Sequence, residues 1–230
     1  MRVVTFNIHH GTVDRRGPVD PRRLGEACAS LEADVLFLQE VDVGTVRVRG
    51  ADLAAAVAER TGMAHVFGAS RWLPGGRYGN AVLVRGDVVE HRVVPLPLAP
   101  WWRLWQEPRT ALEVRARVRG VDVRLACTHL AVPERTNGPQ LAALLDHVEG
   151  RAGPLVLGGD LNRRAEDVRP LVEAHGLALV DHGPTFPASA PRVAIDHIAV
   201  STDVRVVAAE VRQTEMSDHA ALVVDLEIRA

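Results

Sequence analysis

Lysine is absent from this sequence: all 27 basic residues are arginine, a bias that reads as coding preference and carries no functional conclusion. A basic surplus is absent too. Against 29 acidic residues the formal charge is −2, which argues against binding nucleic acid through bulk electrostatics, because that mode needs excess cations to displace counterions from phosphates. A local basic cleft stays open. Cysteine is nearly absent. Cys28 falls in an expected helix and Cys127 in an expected strand. With no pair at ligand spacing, they read as small buried hydrophobes in a reducing compartment, not as a disulfide or metal site. No long apolar run occurs: "MRVVTFNIHH" turns polar after Ile8, too soon for a signal sequence or a membrane span. A cytoplasmic protein with no transmembrane segment is the expectation. Repeats and low-complexity segments are also missing. Aromatic residues make up only 4%, yet three of the four tryptophans crowd into "PWWRLW", residues 100–105. Buried, that segment is a satellite core; exposed, it can stack on bases or enter a lipid interface. Both readings stay open.

What is present is ordinary core material. A hydrophobic fraction of 47% with 24% charged residues excludes disorder, and no composition shift divides the chain, so one domain over residues 1–230 is expected. Apolar runs of strand length occur at Val3–Ile8, Val35–Gln39, Ala81–Val84, Val88–Leu96, Ala111–Val118, Val121–Thr128, Leu155–Leu157, Ile195–Val200, Val204–Val211 and Ala220–Ile228. Helical patterns fall at Pro21–Leu31, with Asp20 as N-cap, and at Asp52–Arg60, Gln140–Val148 and Asp167–Ala174, with glycine stops at Gly62 and Gly176. Several strands follow one another directly, as in the hairpin turning near Gly120. Its Arg115, Arg117 and Arg119 share one face by period two and read as a solvated surface. Interspersed hairpins and helices imply an α/β fold with two sheets packed face to face, not one parallel sheet.

Residues with chemical capacity gather at strand ends. Asn7 ends the first strand in "TFNIHHG", Glu40 the second in "LQEVD", and His129 a later one in "THL". Asp160 and Asn162 follow in "GGDLN", Asp196 lies in "IDHI", and Asp218 with His219 opens the last strand in "SDHAAL". Any one of these alone is ordinary turn chemistry. Together they fall where rigid strands aim side chains and loops leave room for a ligand.

These six motifs, in this order, resemble the endonuclease/exonuclease/phosphatase superfamily of metal-dependent phosphoesterases, from residue 3 to residue 225. The resemblance implies a four-layer α/β sandwich: two mixed β-sheets packed face to face with helices on both outer sides. It implies Mg²⁺ or Mn²⁺ held by Asn7 and Glu40, with Asp218 near the metal. It also implies Asp160 and Asn162 at the phosphate and attacking water, His219 paired with Asp196, and His129 at the phosphate or leaving oxygen. The chemistry is consistent: hard oxygen ligands suit Mg²⁺, and a histidine with a carboxylate partner can take a proton from water. On this view the glycines of "GGDLN" let the backbone approach the phosphate. His9 and His10 after Asn7, then Arg77, Tyr78 and Asn80 in "GRYGNAVLV", and Arg109 in "EPRTALEV", are open between substrate contact and plain polar loop; His10, Asn80 and Arg109 are the candidates for substrate binding.

Two departures matter. Ala221 stands where the superfamily commonly has proline after Ser-Asp-His-x, a change in strand entry and not in chemistry. The compact chain also lacks the long basic insertion of many DNA-specific members, which weakens a nuclease reading. A phosphate-ester substrate is expected, small, lipid-linked or nucleic acid, acted on by a monomer. The alternatives are an endo- or exonuclease and a noncatalytic binding module on the same fold. A nucleophile-elbow serine enzyme needs Gly-x-Ser-x-Gly, which does not occur.

Overall fold

The alternating runs pair into two mixed six-stranded sheets in a computed structural model that describes residues 1–13, 17–98 and 106–228. The first sheet holds β1 (Arg2–Asn7), β2 (Val35–Val43), β3 (Ala64–Leu73), β4 (Gly76–Val84), β11 (Val204–Arg212) and β12 (Ala221–Ile228), in the order β11-β12-β1-β2-β4-β3. The second holds β5 (Gly86–Pro95), β6 (Thr110–Val118), β7 (Val121–His129), β8 (Leu155–Asp160), β9 (Leu177–Leu179) and β10 (Asp196–Ser201), in the order β5-β6-β7-β8-β10-β9. Their inner faces share one core, where Val3, Val35 and Phe37 meet Val114, Leu125, Val156 and Ile198.

Helices cover both outer faces. The helices α1 (Pro21–Ser30) and α2 (Leu53–Thr61) bury Leu24, Cys28 and Val57 on Val4, Phe6 and Leu36 of the first sheet. On the second sheet, α3 (Glu134–Val148) and α4 (Ala165–Ala174) bury Leu141, Leu144, Val168 and Val172 on Ala126 and Leu157. The order helix, sheet, sheet, helix is the expected four-layer sandwich. Local chemistry starts and stops these helices. The Asp20 carboxylate accepts the Arg22 and Arg23 N–H groups ahead of Pro21, and Gly62 closes α2 in the left-handed conformation at φ 66°.

Four differences from the sequence reading have physical causes. Strand β3 is an edge strand whose residues are only half-buried, so its apolar alternation is weak, and β9 is three residues long. Helix α3 begins at Glu134, ahead of Gln140, because Gly138 and Pro139 sit inside it and mask its first turns. Strand β2 runs on through Glu40 to Val43 across a bulge. The Arg stripe is a surface, as expected: Arg115 pairs with Glu90 and Arg117 with Asp122. The segment Trp101–Trp105 lies outside the described residues.

Among the described residues two strand pairs are parallel, β1 with β2 and β7 with β8. Each is joined through a helix, so the carboxyl ends of all four strands reach the same edge of the sandwich. Antiparallel β10 and β12 enter at that edge, with Asp196 in register with Asp160 and Asp160 with His129.

Candidate active site

Asn7, at the end of β1, is the hub of this edge. It is fully buried, and its Nδ2 donates to Glu40 Oε1 at 3.1 Å and to Asp160 Oδ2 at 2.9 Å, one carboxylate from each sheet. Its Oδ1 accepts the His9 N–H at 3.0 Å. Glu40 reaches this point because the β2 bulge sets its backbone at φ 59°, the left-handed region, turning the side chain off the strand's normal alternation. Burial works against its charge, but His10, 3.9 Å away, the nearby His129 and His9, and the hydrogen bond from Asn7 hold the carboxyl well below its usual range.

A second group lies beside Asp160. His219 Nδ1 donates to Asp196 at 2.9 Å and 3.1 Å to its two oxygens, since a carboxylate can only accept. This leaves Nε2 turned to Asp160 Oδ2, 3.8 Å away. Thr185 Oγ1 holds Asp196 Oδ2 at 2.5 Å, and the Phe186 ring lies 4.8 Å from the imidazole of His219. Burial disfavours the imidazolium, but Asp196, by charge and hydrogen bond, together with Asp160 and Asp218 raises His219 to about 10. Burial, with the Asp196 charge added, lifts Asp160 to about 7 against the opposing pull of His219, Asn7 and the Asn162 N–H.

The remaining predicted residues fall into two sets. His9, His10, Arg109, His129, Asn162 and Asp218 line one cleft of about 750 Å³ with Glu40, Asp160 and His219. Within it His129 Nε2 lies 3.4 Å from Asp160, and burial together with the Arg109 charge keeps that imidazole neutral. Asn162, at φ 50°, donates its N–H to Asp160 Oδ1 at 2.9 Å and so braces the carboxylate. His9 Nδ1 lies 3.5 Å from Asp218. Asn80 and Arg77 are not among the cleft residues: Asn80 is buried and donates to Thr110 O at 3.0 Å, and Arg77 packs over the Phe67 ring. The glycines of "GGDLN" are required by packing. A Cβ on Gly158 would meet the Phe37 ring at 2.6 Å, and one on Gly159 would meet Thr128 O at 1.9 Å.

Sequence reasoning missed several supporting residues. Ser217 Oγ donates to Asn7 O at 2.6 Å and accepts the His219 N–H at 3.1 Å, tying β1 to the last motif. Its place beside Asp218 was the available signal. Asn137 Nδ2 donates to Ala131 O at 2.6 Å and Leu161 O at 2.7 Å, clamping the loops after His129 and Asp160. Thr185, Arg47 and Arg71 carry no local signal at all.

The profile of the endonuclease/exonuclease/phosphatase family matches residues 4–219. The chain belongs to this family. YbhP of Escherichia coli K12, described only as uncharacterized, is 30% identical over 220 residues, spanning 86% of this chain and 84% of that protein. The crystal structure of an endonuclease/exonuclease/phosphatase from Beutenbergia cavernae superposes with a TM-score of 0.84 at 29% identity, covering 100% of this chain and 72% of the other. A mannosyl-6-phosphatase of Bacteroides thetaiotaomicron shares the fold, with a TM-score of 0.78 at 18% identity over 99% and 100% of the two chains. Members of the endonuclease/exonuclease/phosphatase family generally hydrolyse phosphate esters and usually employ a divalent metal. The donor set here fits such an ion. Asp160, Asp196 and His219 offer ligand atoms within 4.8 Å of one another, as do His9, His10 and Glu40, so hard carboxylate oxygens stand beside imidazole nitrogens in both groups. Four carboxylates, those of Glu40, Asp160, Asp196 and Asp218, meet around Asn7 and His219, and no arginine among the described residues pairs with any of them. That unbalanced negative charge is what a divalent cation would offset.

Proposed function

We propose that this chain is a Mg²⁺- or Mn²⁺-dependent phosphoesterase that hydrolyses its substrate in one in-line step without a covalent intermediate. The observation that carries the reading is His219: Asp196 fixes its Nδ1–H, so the basic Nε2 faces Asp160 inside the cleft. Asn7, Glu40 and Asp218 would hold the cation, which supplies positive charge beside the nonbridging phosphoryl oxygens. Asp160, braced by Asn162, orients the water. Asp160 and Asp218 help to raise His219; with those charges offset by a cation at Asn7, Glu40 and Asp218, Nε2 would be free of its proton at working pH. His219 Nε2 then takes the proton as the water oxygen bonds to phosphorus and the bond to the leaving oxygen breaks, and that oxygen takes up a proton in turn. Neutral His129 donates an N–H to the phosphoryl group. His10 and Arg109 contact the substrate from the cleft wall, while Asn80 acts through Thr110 as a positioning residue.

A small or lipid-linked phosphodiester is the preferred substrate, with nuclease action the runner-up. The shared fold with a mannosyl-6-phosphatase places monoesters in the assay panel. A noncatalytic binding module is disfavoured because every expected donor is retained, His219 and Asp196 included. The test is turnover of bis-p-nitrophenyl phosphate with Mn²⁺ and with chelator. Turnover that needs Mn²⁺, and that falls about 10²–10⁴-fold in His219→Ala, supports the reading. Absence of metal-dependent turnover on this ester, on nucleic acid and on phospholipid overturns it.

A further inference from the structure

The cleft is polarised. Its acidic floor surrounds Asn7, whereas its far wall carries Arg47, Arg71 and Arg109 from three separate segments. Arg47 lies in the short turn after β2, Arg71 at a bulge of β3, and Arg109 just ahead of β6. The guanidinium carbons of Arg47 and Arg71 each lie 5.2 Å from the centroid of the buried Tyr78 ring. Asp42 holds Arg47 at 2.8 Å, and Glu107 holds Arg71 at 3.1 Å and Arg109 at 3.2 Å. Among the described residues, the three cations of this wall therefore pair with two carboxylates. The buried Nε atoms of Arg71 and Arg109 have no hydrogen-bond partner among the described residues, a state that calls for an explanation in a folded protein.

Gathering like charges on one ring is unfavourable unless an anion joins them, and a planar guanidinium matches two phosphate oxygens at once. The wall is also electrostatically continuous with the floor. The Arg109 charge is felt at His129, and the Glu40 charge at Tyr78. A cleft of about 750 Å³ has room for a drug-sized ligand well beyond one phosphate.

We propose that Arg47, Arg71 and Arg109 around Tyr78 form a second anion subsite, which receives a non-reacting phosphate of a compact substrate carrying two phosphate groups. This rests on the phosphoesterase reading, because it takes the scissile group to lie at His219. Tyr78 and the carboxylates of Asp42 and Glu107 set the guanidinium planes in advance, so little side-chain freedom is lost on binding.

The test compares the p-nitrophenyl ester of thymidine 5′-phosphate with and without a 3′-phosphate, in the native chain with Mn²⁺ and in Arg47→Gln and Arg71→Gln. In the native chain the second phosphate is expected to raise kcat/KM about tenfold, mainly through KM, a gain equal to one good charge-assisted contact. In each variant the ratio between the two esters should fall toward one, whatever the absolute rates. Calorimetric titration with thymidine 3′,5′-bisphosphate and with the 5′-monophosphate gives a readout without turnover: the bisphosphate should bind more tightly, and the variants should lose that difference while melting as folded proteins. Turnover of both esters at equal efficiency leaves the phosphoesterase intact and overturns the subsite. So does a ratio that survives both substitutions, or an equal gain from an uncharged 3′-dimethylphosphate triester. Stronger gain from a longer oligonucleotide than from the single nucleotide overturns the compact substrate in favour of a nucleic-acid strand.

Discussion

Asp196 is buried; His219 Nδ1 reaches both of its oxygens, and Oδ2 also accepts from Thr185 Oγ1. Asp196→Asn keeps the shape but offers an N–H where His219 also has one, so the imidazole must turn or change tautomer. We expect kcat to fall by about 10²-fold or more with KM nearly unchanged, and steady-state rates on bis-p-nitrophenyl phosphate check it. The same histidine sets a pH signature. Its folded value of about 10 lies above the ordinary 6.5, so the folded state binds the proton more tightly than the unfolded chain. That contribution is complete below about pH 6.5 and is lost as pH rises through about 10. Thermal melts in chelator should therefore show Tm falling across this window in the native chain, and a shallower fall in His219→Ala. Equal slopes would contradict the assignment. Asp160, raised to about 7, adds a loss at lower pH, as pH rises from the ordinary carboxylate range toward neutrality, and His219→Ala, which removes the opposing pull of the imidazole, should enlarge that portion.

At the level of elements, the two parallel units do the positioning. Strands β7 and β8 run side by side so closely at their ends that Gly159 has no room for a side chain: its Cβ would sit 1.9 Å from Thr128 O, at a φ of 154°. A backbone carbonyl cannot swing aside as a flexible side chain can. Gly159→Ala is thus expected to cost about 3 kcal/mol or more, at or above the usual range for overpacking, and to move Asp160 relative to His129. Urea unfolding by circular dichroism measures the first effect and residual turnover the second; a stable, active variant would show that the strand ends give more easily than their contacts imply. Helix α3 contributes beyond its apolar face, since Asn137 near its start holds the carbonyls of Ala131 and Leu161 and so ties the two site loops together.

Across the whole molecule, the site is a seam. Asn7, Glu40 and His219 come from the first sheet or its entry, and His129, Asp160 and Asp196 from the second. Their distances depend on how the sheets sit on each other. Phe37 packs across that interface, its ring against Gly158. Phe37→Ala should destabilise by about 3–5 kcal/mol and lower turnover although the side chain touches no reacting group, which melts and assays on one preparation can check. The sequence alone determined the alternation that makes the strands, the caps that bound α1 and α2, and the chemical residues at strand ends, because these signals lie within a few neighbouring positions. Asn7, Glu40, His129, Asp160, Asp196 and His219 were all legible in that way. Only the tertiary structure decided that a bulge turns Glu40 inward, that Phe37 and Thr128 occupy the space beside the glycines, and that Arg47, Arg71 and Tyr78 meet on one wall. Each of those depends on contacts between residues distant in the chain, and packing across two sheets leaves no periodic trace along either strand.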